Sequence, residues 1–243
     1  MPRPAGQPLA DPSRPDGAPP RDAAWAALPA LGWPHRTLLR LRLAGGPPDH
    51  PGLAAVAPYD VLRTRSMQAM AAAGWSRIGV TGTGRGPAAP AVALNLALSV
   101  ARRADQRVAL VDLDLDRQPV LGLLGHALPP PNGVLHWSRA RLGENLALAS
   151  FTAPPGRSAE TLLSAQFQAR LAEMVESLAP DLTILHLPPI LMADAGMAAL
   201  DMAETVLLAV DGTSDTAARI RAAEGFVVAR RPLLGLFLYD GEV

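Results

Sequence analysis

The sequence contains no cysteine, which excludes a disulfide scaffold, a thiolate metal site and a cysteine nucleophile. It also contains no lysine: all 22 basic residues are arginine, so no mechanism that needs a lysine runs on this chain alone. Charge of one sign is missing too. Twenty-two acidic residues balance the basic ones, and a neutral net charge lacks the electrostatic footprint that nucleic-acid or anionic-membrane binding requires. Aromatic residues are only 4%, and the five histidines show no ligand spacing. No uninterrupted apolar run reaches 18 residues, so the sequence predicts no membrane span. A signal-peptide pattern is also missing from the start, and a cytoplasmic protein is the expectation.

What is present is apolar mass. Forty-nine per cent hydrophobic residues against 18% charged ones are enough to build a sizeable core in a chain of 243 residues. Seven of the first twenty residues are proline, and residues 1–33 read as a disordered, partly extended tail ahead of a single domain over 34–243. From there, short β-rich runs alternate with helix-periodic ones. Strands are expected at Thr37–Leu43, Ile78–Thr81, Val108–Asp112, Leu146–Ser150, Leu182–His186, Val206–Val210 and Leu233–Leu238. Helical patterns cover 59–73, 91–104, 161–179, 195–203 and 214–229. This alternation predicts an α/β fold: a doubly wound, mostly parallel sheet of about seven strands with helices on both faces.

In such folds ligands gather at the carboxyl ends of strands. The turn after Ile78–Thr81 reads Gly82-Thr83-Gly84-Arg85-Gly86-Pro87-Ala88-Ala89-Pro90 and leads into an apolar helix. A glycine-rich turn at a helix N-terminus is the geometry of a phosphate cradle, because free N–H groups and the helix dipole point at an anion.

The stretch from Val80 to Asn95 resembles the bacterial tyrosine kinases of the P-loop class, relatives of the MinD and ParA ATPases. There a strand ending Val-Thr enters a loop ending Gly-Glu-Gly-Lys-Thr-Thr, and Asn95-Leu96-Ala97 falls on that family's Asn-Leu-Ala without a gap. Arg107–Asp114 is similar to its Walker A′ strand, Leu187-Pro188-Pro189 to its Asp-Leu-Pro-Pro turn, and Leu62-Arg63-Thr64-Arg65 to the helix before its first core strand. The similarity extends over residues 59–238.

The resemblance implies the cytoplasmic kinase half of a system for exopolysaccharide or capsule synthesis and export. It also implies a membrane-embedded polysaccharide co-polymerase as partner, recruitment to the inner face of the membrane through that partner, and homo- or hetero-oligomers. Neither nucleic acid nor direct membrane insertion is expected.

Carried over residue by residue, the resemblance meets departures. The P-loop lysine falls on Ala89, the magnesium-holding threonine on Pro90, and the residues before them on Pro87 and Ala88. Proline has no N–H to give a phosphate. Hydrogen bonds to charged groups are worth about 1.5–3 kcal/mol each, so several losses weaken nucleotide binding by orders of magnitude. Compositional drift toward arginine would have exchanged lysine for arginine; alanine abandons the charge. The Walker B aspartate falls on His186, while Asp112 and Asp114 keep the Walker A′ pair. The ring-assembly motif Glu-x-x-Arg-x-x-Arg falls on Ala57, Asp60 and Arg63, and the tyrosines are only Tyr59 and Tyr239.

The reading is therefore a catalytically degenerate kinase-like scaffold or regulatory partner, with degenerate P-loop positions at Gly82, Thr83, Gly84, Arg85, Gly86, Ala89 and Pro90. No cofactor is expected. Mg-ATP enters only under the alternative, an active tyrosine kinase or ATPase working through Arg85, Asp112 and Asp114. A MinD- or ParA-like positioning ATPase is a further alternative.

Overall fold

The computed structural model describes residues 21–32, 53–126, 135–192 and 194–240. Seven strands form one sheet: β1 (Arg77–Gly82), β2 (Val108–Asp112), β3 (His136–Leu142), β4 (Leu146–Thr152), β5 (Leu182–His186), β6 (Thr205–Asp211) and β7 (Leu233–Tyr239), in the spatial order β3-β4-β2-β5-β1-β6-β7. Only the β3–β4 hairpin is antiparallel. All other pairings are parallel, as right-handed strand–helix–strand crossovers require. The doubly wound α/β architecture is the one expected. The residues of β1 from Ile78 onward and all of β2, β4, β5 and β6 are buried, which is why these strands read as near-continuous apolar runs.

One face carries α2 (Leu53–Ala73), α3 (Ala88–Ala101) and α4 (Pro119–Leu123), over a core that includes Ile78, Val80, Leu94, Leu96 and Leu110. The other carries α1 (Arg21–Ala26), α5 (Ser158–Leu163), α6 (Ala165–Leu178), α7 (Asp194–Leu200) and α8 (Ala217–Val228), with Phe151, Phe167 and Leu185 among its core residues. Helix α3 is buried from Ala88 through Val100, so it fills the centre of its layer. Gly79 is required on β1, because a Cβ there would lie 2.8 Å from Leu187 Cδ1 and 2.9 Å from the Ala203 Cβ.

Several expectations are corrected. Residues 21–32 are not part of a disordered tail: α1 buries Trp25, whose indole N–H donates to the Leu178 carbonyl at 2.7 Å, and Ala30 bridges to Arg141 on β3. The apolar body of one tryptophan, with its single donor satisfied, is enough to anchor a short helix. The pattern over 161–179 is two helices, because Ser164 turns extended (ψ 138°) and caps α6 by accepting from the Phe167 N–H at 3.2 Å. Helix α2 starts at Leu53, ahead of Pro58, rather than at 59. Strand β3 was not anticipated from the sequence. Residues 1–20 and the expected strand at Thr37–Leu43 lie outside the described residues.

Candidate functional site

Register places three strand ends side by side. His186 on β5 pairs with Asp112 on β2 and with Val80 on β1, and two residues past Val80 the chain enters the glycine-rich turn. The turn is tied down from the β5 side: the Thr81 hydroxyl donates to the Pro188 carbonyl at 2.8 Å, and the Ile190 N–H donates to the Gly82 carbonyl at 3.1 Å. Helix α3 then begins at Ala88 with Pro87 as its N-cap, which offers no side-chain capping bond. Pro90 is the third residue of α3, not the first as its place after the loop suggests. A helix start offers its N–H groups to an anion, and two positions here, Pro87 and Pro90, have none. Ala89 is buried where the resemblance puts a lysine.

On the β2 and β5 side, the imidazole of His186 and the carboxylate of Asp112 are both almost wholly buried and lie 2.8 Å apart (Nδ1 to Oδ1). The same Oδ1 accepts the Asp114 N–H at 3.1 Å, and Oδ2 accepts the Val120 N–H at 3.0 Å. Both oxygens of Asp112 are thus engaged by protein donors. Asp114 is buried beside it, and burial followed by the Asp112 charge pushes its carboxyl above the ordinary range against the opposing pull of His186 and Arg117. Arg117 donates to the Arg85 carbonyl at 3.2 Å, so it braces the loop backbone. The Arg85 side chain is exposed. Between Arg85, Ala89 and Pro90 on one side and Asp114, Arg117 and His186 on the other, the free space is about 10 Å³, no more than one water needs.

The other side of the loop faces residues that sequence reasoning missed. A cavity of about 250 Å³ lies between Gly82–Gly86 and the segment after β6. The Thr83 hydroxyl donates to Asp215, and Arg219 on α8 donates to the Thr83 carbonyl at 3.1 Å. Asp215 also accepts the Asp211 N–H at 2.9 Å. A Cβ on Gly84 would lie 2.8 Å from Arg219 Nη2, and one on Gly86 would lie 3.1 Å from Asp211 Oδ2, so both glycines admit these side chains to the loop backbone. Asp211 accepts from the Thr213 hydroxyl and N–H, at 2.7 and 2.9 Å. Burial opposes its charge, yet these bonds and those from Ser214 hold its carboxyl below the ordinary value. The available signal was the turn-rich run Asp211-Gly212-Thr213-Ser214-Asp215 at a strand carboxyl end.

The motif at Asp60 and Arg63 turns inward. Asp60 accepts from Ser99 at 2.6 Å and from Arg102, while Arg63 donates to the Ser99 carbonyl at 3.1 Å, which locks α2 to α3.

The kinase domain of the Escherichia coli tyrosine kinase ETK superposes with a TM-score of 0.64 at 22% identity, over 77% of this chain and 76% of that one. The fold is that of bacterial tyrosine kinase domains. The chimerical protein CapA2B2 matches over 87% of this chain and 93% of its own, with 19% identity and a TM-score of 0.63. Cobyrinic acid a,c-diamide synthase from Mycobacterium smegmatis, solved with a bound ATP analog and magnesium, matches at 0.51 with 18% identity over 70% of this chain and 77% of that one. No family model and no curated protein matches the sequence. Alanine and proline stand where the resemblance puts a lysine and a threonine, and both oxygens of Asp112 accept from protein donors. Among the described residues no cluster of three His, Asp or Glu side chains is placed to hold a metal ion.

Proposed function

We propose that this chain is a tyrosine-kinase-type P-loop protein that has given up ATP chemistry and acts as a scaffolding or regulatory partner in exopolysaccharide or capsule export. The observation that carries the reading is the closed pair at the Walker B position. Where the resemblance calls for an aspartate beside a magnesium ion, a buried His186 is hydrogen-bonded to Asp112, and the space between Ala89, Pro90 and His186 holds about one water. Three of the four lone pairs of that carboxylate accept N–H donors, two on Oδ1 and one on Oδ2, which leaves a single lone pair for a hard cation. Asp211 and Asp215 line the cavity on the other side of the loop together with Arg85 and Arg219, so a polyphosphate entering there meets no net positive charge.

The pathway rests on the resemblance to the kinases of polysaccharide systems and on the kinase-like fold. It makes the partner a membrane-embedded co-polymerase that recruits this chain to the inner face of the membrane. Among the described residues no helix is long and apolar enough to cross a membrane.

The test is genetic complementation. Deletion of the gene lowers surface polysaccharide, and a copy carrying Arg85→Ala and Asp114→Asn restores it as well as the wild type. Failure of that copy to restore polymer, together with labelling of Tyr239 or a partner by labelled ATP, would establish a working kinase instead.

A further inference from the structure

Strand β3 closes one edge of the sheet. It pairs with β4 on one side, and on its outer side the one pairing among the described residues is Ala30 with Arg141. There the Arg141 N–H donates to the Pro29 carbonyl, and the Arg141 carbonyl accepts from the Leu31 N–H, each at 2.8 Å. The register of β3 on β4 is unbroken from His136 to Leu142, so alternation turns the N–H and carbonyl groups of Trp137 and Arg139 to that same outer side. No described residue pairs with them there.

The side chains beside this edge form a column anchored in the core. Phe167 on α6 meets Phe151 edge-on with ring centroids 4.9 Å apart, and Trp137 lies nearly parallel to Phe151 at 6.3 Å. Both phenyl rings are buried, while Trp137 is 38% exposed. The Arg139 guanidinium sits over the indole at 4.3 Å, and that of Arg170, one turn along α6 from Phe167, approaches the same ring at 5.9 Å. A guanidinium stacked on a ring keeps its N–H donors in its own plane, free for a carboxylate. Neither cation has a carboxylate partner among the described residues, whereas Arg102 and Arg107 have Asp60 and Asp22. Two oriented arginines thus stand next to a backbone edge with hydrogen bonds to give.

We propose that the outer edge of β3 docks an extended acidic segment of a partner protein. The segment adds as a strand against Trp137 and Arg139, beyond Ala30, and presents Asp or Glu at alternate positions to Arg139 and Arg170. In such strand addition the main chain supplies the hydrogen bonds and the flanking side chains select the sequence. Charge decides the occupant. Strand β3 reads His-Trp-Ser-Arg-Ala-Arg-Leu, with no acidic residue, so a second copy laid along it brings arginine toward arginine. An acidic strand meets the opposite charge instead. The proposal does not depend on the state of the nucleotide site.

The test is fluorescence anisotropy with the full chain and a labelled peptide that repeats Glu-Val three times. The peptide binds saturably, and Arg139→Gln or Arg170→Gln weakens it about tenfold with an unchanged circular dichroism spectrum. In the complex, hydrogen exchange slows at the Trp137 and Arg139 amides, the two N–H groups that the added strand covers. A block peptide, with the glutamates first and the valines after them, keeps the charge, loses the alternation and binds more weakly. Absence of binding by the alternating peptide overturns the proposal. So does equal binding of the block peptide, an affinity unmoved by both arginine changes, or displacement by a single-stranded oligonucleotide of equal charge.

Discussion

His186 and Asp112 form a buried hydrogen-bonded pair at the strand ends beside the glycine turn. With the imidazole in place, Asp112 keeps three donors in a setting only 1% exposed. His186→Ala leaves a buried carboxylate short of one donor and lowers stability by about 2 kcal/mol in urea unfolding. Asp114 gives the opposite sign. Its folded carboxyl is raised, first by burial and then by Asp112, so the folded state holds the extra proton in a window from about 3.9, the unfolded value, up to the raised one. Stability from this group is present at low pH and is lost as pH rises through that window; above it, a buried charge is a standing cost. Asp114→Asn therefore raises stability at neutral pH and flattens the acid limb, read as unfolding midpoints between pH 3 and 8. A destabilised Asn variant at neutral pH would show that the carboxylate is needed where it stands.

Elements differ in how clearly they can be read from their residues, and the reason is burial. The runs at Val108–Asp112 and Leu182–His186 coincide with β2 and β5 because both faces of those strands meet core. Strand β3 escaped notice because it is an outer strand that carries Arg139 and Arg141, and its one large ring, Trp137, lies under Arg139 at 4.3 Å. An edge needs no apolar alternation, so periodicity has nothing to register. Helix α1 was hidden by the prolines before it; Trp25, at 2% exposure, outweighs the local composition. Trp25→Ala removes that ring and its bond to Leu178, and thermal unfolding should show a loss of about 3 kcal/mol. The α2–α3 joint supplies a milder case: Asp60→Ala strips the acceptor from Ser99 and Arg102 and costs about 1 kcal/mol. At the site, the glycine turn was legible, and so were Asp112 and His186 as strand-end residues, but not their burial or their bond to each other. Asp211, Asp215 and Arg219 were not, since nothing in their spacing along the chain says that β6 lies next to β1.

Across the whole molecule, the proposed function separates scaffold from chemistry. The seven-stranded sheet, the helix after the glycine turn and the layers on both faces are those of a kinase domain. What holds that architecture together is apolar burial, which tolerates Ala89 and Pro90 in the first turn of α3. Phosphate binding depends instead on a few charges and N–H groups at fixed points, and those are the positions at which this sequence departs from the family it resembles. The account stands or falls on calorimetric titration of the wild-type protein with Mg-ATP. It predicts heats no different from dilution up to about 1 mM nucleotide, which corresponds to a binding free energy weaker than roughly −4 kcal/mol. A saturable isotherm with a micromolar dissociation constant would contradict it.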